Sequence, residues 1–236
     1  MDKRYFQFPL CLLSFGRDVN ERLSGIISLG CVELGAKLWH QFSPAKQNSW
    51  RYNPPIRFCT SEIHLGKDEE LQVIAGCEYL KIGCYDIKDI LAEHAQVTRF
   101  IRDFECKHGT DARVRIRTDW LFEVLANTGM SYPEFAVIAA IYSKIGATKT
   151  PVRITHEEIW IRALGFKSYR VFRTQWDGRP LFLTQRQVRS IVKRLHARKF
   201  FARVTYRRRL TYYSNRMTSA ALAEQVLKRK HKGPSR

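Results

Sequence analysis

Apolar residues recur at i, i+3, i+4 and i+7 through much of this chain, and each such stripe predicts a helix with one face turned to a core. In "TQRQVRSIVKRLHAR" the stripe is Val188, Ile191, Val192 and Leu195, which predicts a helix over 184–198. Thr184 and Gln187 stand at capping-box spacing at its start. After Phe200 the period drops to two. "FARVTY" and "LTYYS" bracket "RRR", so the pattern predicts a hairpin over 201–214 with Arg207, Arg208 and Arg209 at its tip. Exposed turn tips usually carry Gly or Asn for backbone reasons, so three arginines there put charge where flexibility is expected.

Upstream, "SYPEFAVIAAIYSKIG" opens with Ser131 and Glu134 at the same capping spacing and buries Phe135, Ile138, Ile141, Tyr142 and Ile145. "PVRI" reads as a short strand. Thr155 and Glu158 then open another helix, with Ile159, Ala163 and Leu164 facing inward until Gly165. A last short helix is expected over 218–228, capped by Thr218, with a basic tail after it.

The first 130 residues are patterned less regularly. "YFQFPLCLLSF" reads as a buried extended segment. Residues 18–39 read as a helix, with Gly25, Gly30 and Gly35 spaced to let another element approach closely. Ser43, Pro44, Asn53, Pro54 and Pro55 predict a loop over 43–68, with "IRFCT" as a short strand inside it. "GKDEELQVIAGCEYLKIGC" predicts a helix and a turn. Asp86 caps a helix of about twenty-two residues lined by Ile87, Ile90, Leu91, His94, Val97, Ile101 and Phe104, ending at Gly109. "ARVRIR" alternates like a strand, and Thr118 opens a helix that ends by Gly129. The expected fold class is mainly α with some β (α+β). A mixed helical, charge-balanced domain over 1–130 precedes a second domain over 131–217, then a short helix and tail over 218–236.

Charge changes this picture. The chain has 236 residues and a formal net charge of +19, unevenly placed. Residues 1–150 hold 19 Lys/Arg against 18 Asp/Glu, whereas 151–236 hold 22 against 4. A surplus of that size repels itself within a folded domain and calls for an anionic partner. Nucleic acid is the first candidate and an anionic membrane surface the second. No run of eighteen apolar residues supports a membrane span, and the N-terminal apolar stretch lacks a signal-peptide cleavage site. At 100° per residue, Arg186, Ser190 and Lys193 project away from the core of the 184–198 helix, with Arg189 and Arg194 on its flanks. That helix carries five basic residues and no acid to pair them.

The order helix, short strand, helix, helix, two-stranded hairpin over 131–216 resembles the winged helix-turn-helix superfamily. The resemblance implies that the third helix enters the major groove of duplex DNA while the hairpin "wing" touches flanking backbone or minor groove. Thr184, Gln185, Arg186, Arg189, Ser190, Lys193 and Arg194 then fall on or beside the recognition-helix positions, and Arg203, Arg207, Arg208 and Arg209 on the wing. Arg can read guanine bidentately and Gln can read adenine. The family joins its second and third helices by a short turn. Here nineteen residues intervene, from Gly165 to Leu183, carrying Lys167, Arg170, Arg173 and Arg179 as further candidate contacts. This insertion reads either as a basic loop or as a small extra helix.

No catalytic motif accompanies these features. A Gly-rich phosphate loop, G-x-S-x-G and H-E-x-x-H are all absent from the sequence. Asp103 with Glu105 and His108 with Asp111 are carboxylate groupings, but the basic region is too poor in acids for a metal nuclease. The six cysteines form no C-x-x-C pair, and Cys59, His64, Cys77 and Cys84 do not match a common zinc spacing. No metal or cofactor is expected. The expected function is duplex DNA binding by a cytoplasmic protein (nucleoid-associated in a prokaryote), as a regulator or replication initiator of a mobile element, with 1–130 dimerising or binding a protein partner. The alternative is a non-catalytic DNA-binding subunit of a larger nucleoprotein complex such as an RNA-guided effector.

Overall fold

The computed structural model describes residues 5–53, 68–82, 86–109, 111, 113–125, 129–146, 148, 150–176, 178, 180–207 and 210–231. Among them the chain is mainly helical with a small antiparallel sheet. The order is β1 (Tyr5–Pro9), a 3-10 turn (Leu10–Ser14), α1 (Val19–Trp39), α2 (Pro44–Tyr52), α3 (Asp68–Leu80), α4 (Ile87–His108), β2 (Arg113–Arg117) and α5 (Thr118–Leu125). There follow α6 (Tyr132–Ile145), β3 (Val152–Arg153), α7 (His156–Ala163), α8 (Tyr169–Gln175), α9 (Gln185–Ala197), β4 (Ala202–Tyr206), β5 (Leu210–Ser214) and α10 (Ser219–His231). β1 and β2 pair as a two-stranded sheet; the other sheet has the order β3-β5-β4, antiparallel throughout.

These residues form two compact units that are not consecutive in sequence. The first comprises Met1–Gln7, Phe15–Thr110 and Ile116–Gly129; the second comprises Phe8–Ser14, Asp111–Arg115 and Met130–Arg236. A single cut near residue 130 therefore misassigns two segments. The reason is burial. Leu10, Cys11, Leu12 and Leu13 are all fully buried, Phe8 meets Phe135 edge-to-face at 5.4 Å, and the Cys11 amide donates to the buried Asp111 carboxylate at 2.8 Å. Residues 219–231 likewise belong to the second unit.

In the first unit, α1 begins at the Asp18 cap, whose carboxylate accepts from the amides of Asn20 and Glu21. It packs on α3 at glycine contacts. A Cβ added to Gly35 would lie 1.9 Å from the Gln72 carbonyl oxygen, and one added to Gly76 would lie 2.0 Å from that of Cys31. No side chain fits between backbones that close, so the crossing depends on hydrogen at both positions. Helix α4 follows its sequence signals, with Asp86 as N-cap and Gly109 as C-cap at φ 74°.

Two expectations change here. Residues 44–52 are helical, not looped: Ser43 caps α2 and Pro44 occupies its first turn, where proline starts a helix rather than breaking one. The extended segment after Tyr5 stops at Pro9 and tightens into the 3-10 turn. The strand expected in "IRFCT" lies outside the described residues.

The second unit is built around α6, α7 and α9. Phe135, Ile138 and Ile141 of α6 are fully buried, as are Ile159 of α7 and Val188, Val192 and Leu195 of α9. Three capping boxes set the helix starts: Ser131 with Glu134, Thr155 with Glu158, and Thr184 with Gln187. Tyr213 of β5 is fully buried and meets Phe201 edge-on at 5.6 Å, joining the sheet to this core.

Candidate nucleic-acid interface

Helix α9 presents its charge by simple projection. Val188, Ile191, Val192 and Leu195 are buried on one side, and burying four such side chains is worth roughly 6–12 kcal/mol before entropy is counted. The other side is exposed: Gln185, Arg186, Arg189, Ser190 and Lys193 all face solvent. Thr184 is exposed too, but its side chain is engaged. Its Oγ1 accepts from the Gln187 amide at 3.3 Å, and its own N–H donates to Gln187 Oε1 at 2.7 Å. Among the described residues, Arg186, Arg189 and Lys193 make no ion pair.

The two flanks of α9 differ. On one, Arg194 Nε donates to Glu134 Oε1 at 3.2 Å, and Arg198 lies 3.9 Å from Glu134 Oε2. The helix therefore does have an acid partner, supplied by α6. Glu134 is nearly buried and also accepts from the amide and hydroxyl of Ser131. Burial pushes its carboxyl up, but the Ser131 and Arg194 hydrogen bonds outweigh that and hold its pKa below the ordinary glutamate value. Arg194 thus has a packing role as well as an exposed edge. A shallow groove runs along this flank between α9 and the start of α6, lined in part by Pro133, Leu183, Ser190 and Ile191.

On the opposite flank, Arg189 of α9 and Arg203 of β4 approach His156, the first residue of α7. Burial lowers the His156 pKa, and Arg203 and then Arg189 lower it further. Arg203 is half-buried, with its guanidinium beside the Tyr213 hydroxyl. The uncompensated positive charge of α9 therefore continues toward the hairpin, not toward α6.

The hairpin pairs Ala202 with Ser214 through Tyr206 with Leu210. Arg207, at the turn, is exposed, takes a left-handed φ of 49°, and places its guanidinium 5.3 Å from the Tyr206 ring centroid. Arg208 and Arg209 lie outside the described residues. One hairpin face is covered by α10: Leu222 and Val226 pack with Ala202, flanked by Val204, Tyr206, Tyr212 and Met217. The region read from sequence as a short last helix is a brace for the hairpin.

The insertion between α7 and α9 contains a small helix. Ser168 caps α8, and Phe172 is buried among Trp160 (5.5 Å between centroids), Phe166 (5.3 Å) and Trp176 (5.5 Å). Lys167, Arg170 and Arg173 remain exposed around it, while Arg179 lies outside the described residues. The insertion does not separate α7 from α9. The two helices pack directly, and Trp160 Nε1 donates to the Leu183 carbonyl at 2.8 Å.

Divided by compact unit, the charge asymmetry sharpens. The first unit holds 15 Lys/Arg against 16 Asp/Glu, and the second 26 against 6. Of the carboxylates considered as catalytic, Asp111 is buried and accepts from Cys11, and Asp103 lies 3.6 Å from Arg102 at the surface. No three His, Cys, Asp or Glu side chains gather as a metal site among the described residues. Cys77 instead lies 3.4 Å, sulfur to sulfur, from Cys31, and Cys59, His64 and Cys84 fall outside the described residues. Among the described residues no helix is long and apolar enough to cross a membrane. The chain matches no protein-family model, no curated protein and no solved structure.

Proposed function

We propose that the second unit is a winged-helix module that binds duplex DNA without catalysing a reaction on it. In this reading α6, α7 and α9 are the three helices, β3-β5-β4 is the wing sheet, and α9 is the recognition helix. The observation that carries it is the exposed row of Gln185, Arg186, Arg189, Ser190 and Lys193 on a helix whose reverse side is locked into the core. A rigid helix with unpaired Arg and polar donors suits base edges in the major groove. The element order and the antiparallel β3-β5-β4 arrangement support the same reading. The charge-balanced first unit is left to bind a second copy or another protein.

Fluorescence anisotropy with selected and random duplexes tests this. Phosphate contacts release counterions, so affinity should fall steeply with salt. The double variant Arg186→Ala, Arg189→Ala should lose about 1–3 kcal/mol per base contact on the selected duplex and clearly less on random DNA. Equal losses on both would remove base reading by α9. Absence of binding to any duplex in low salt would end the proposal.

A further inference from the structure

Arg189, Arg203 and His156 come from three different elements, α9, β4 and α7, yet they converge on one place. Their convergence is unusual because the charges are alike. Arg189 and Arg203 both act on His156, and the ionic influences on that imidazole come from these two cations alone. The acids of its own helix are otherwise occupied or remote in effect. Glu158 closes the Thr155 capping box at 2.8 Å and lies 3.8 Å from Lys144 of α6, and Glu157 is exposed. Helix α8, also packed on α7, offers only Arg170 and Arg173, both exposed. Arg203 adds a second sign of an unmet need: its Nε is buried and has no hydrogen-bond partner.

A folded protein does not gain from placing two arginines beside an imidazole with no carboxylate between them. The arrangement becomes favourable when an anion enters. Resting on the DNA-binding reading, we propose that Arg189, Arg203 and His156 form a seat for one backbone phosphodiester of the bound duplex, and that His156 takes up a proton as the phosphate enters. Arg189 therefore serves the backbone side of the contact as well as the α9 face. In the free chain, burial and the two arginines keep His156 neutral near pH 7. A phosphate within reach reverses the local field and stabilises the imidazolium, which then donates from both ring nitrogens. Because the complex holds one more proton than the free components, affinity must rise as pH falls, by no more than about tenfold per pH unit for a single site.

The test is binding of a labelled mixed-sequence duplex DNA by the full chain at fixed ionic strength, at pH 8 and pH 6. The parent should bind about three- to tenfold more tightly at pH 6 per pH unit over the titrating range. His156→Gln should match the parent at pH 8, where both are neutral, and lose the gain at pH 6. A pH response that survives in His156→Gln, or is absent from the parent, overturns the seat while leaving DNA binding intact. No binding at either pH in low salt overturns the DNA-binding reading itself. Should the variant fail to fold by circular dichroism, the histidine Hε1 resonances of the parent decide. One pKa must rise on adding duplex, and no rise overturns the proposal.

Discussion

Glu134 Oε1, in the first turn of α6, accepts a hydrogen bond from Arg194 Nε of α9 at 3.2 Å, across sixty residues of sequence. The same carboxylate closes the Ser131 cap. One side chain therefore fixes where α6 begins and how α9 lies against it. Glu134→Ala should lower stability by about 1–3 kcal/mol, from the cap and from the charge-assisted bond to Arg194 together. Its acid dependence has a definite sign. The folded pKa is depressed, so the contribution is present above the unfolded value of 4.5 and is lost as pH falls through the folded value. Urea midpoints for parent and Glu134→Gln should differ at pH 6 and converge toward pH 3. A constant difference would mean that the charge is not what matters.

Histidine works in the opposite pH range. Burial lowers the pKa of both His94 and His156. For each, the unfolded chain binds a proton more readily than the folded one, so stability is full above the unfolded value of 6.5 and declines as pH falls below it. Thermal melts of the free chain should show the Tm dropping between pH 7.5 and 5.5. His94→Gln combined with His156→Gln should flatten that slope without changing it above pH 7.5. If the double variant keeps the parent's slope, other groups carry the dependence.

Arg207 holds a left-handed backbone at φ 49°, a conformation that costs an ordinary L-residue about 1–2 kcal/mol. Charge at this position is kept despite backbone strain. Arg207→Gly should therefore raise unfolding stability by about 0.5–1 kcal/mol while weakening DNA binding. The loss should be similar across sequences and should reduce the salt slope by about one unit, as expected for a phosphate contact. Sequence-dependent loss would instead place Arg207 at base edges.

Much of this arrangement was readable before any coordinates, and what was readable was local. The three capping boxes, the Asp86 to Gly109 helix and the α9 stripe are encoded within a few residues. The Gly25, Gly30 and Gly35 spacing announced a close helix approach, and the crossing at Gly35 and Gly76 is that approach. What could not be read came from distance. Nothing near Arg194 in sequence points to Glu134, and nothing in "PLCLLS" says that it belongs with α6 of the second unit. His156 was hidden as well, since a histidine after a capping threonine has no periodic signature, and its neighbours arrive from α9 and β4. Pro44 was misjudged because proline was weighed as a breaker without its position after Ser43.

The final prediction concerns α10. Leu222 and Val226 are buried against Ala202, with Val204, Tyr206, Tyr212 and Met217 around them. A two-stranded ribbon is marginal alone in water, and β4-β5 has only the two residues of β3 along its other edge. Helix α10 thus holds the hairpin rigid and dry on one face, leaving the turn with Arg207 to reach outward. Leu222→Ala removes a fully buried side chain and should cost about 2–4 kcal/mol locally. Hydrogen exchange should then quicken at the β4 and β5 amides while the α9 amides of Val188 and Val192 keep their protection. Affinity for duplex DNA should fall through faster dissociation, with the preference set by α9 retained, because a loosened wing must be ordered again at each encounter. Unchanged hairpin exchange in Leu222→Ala would show that the ribbon stands without its brace.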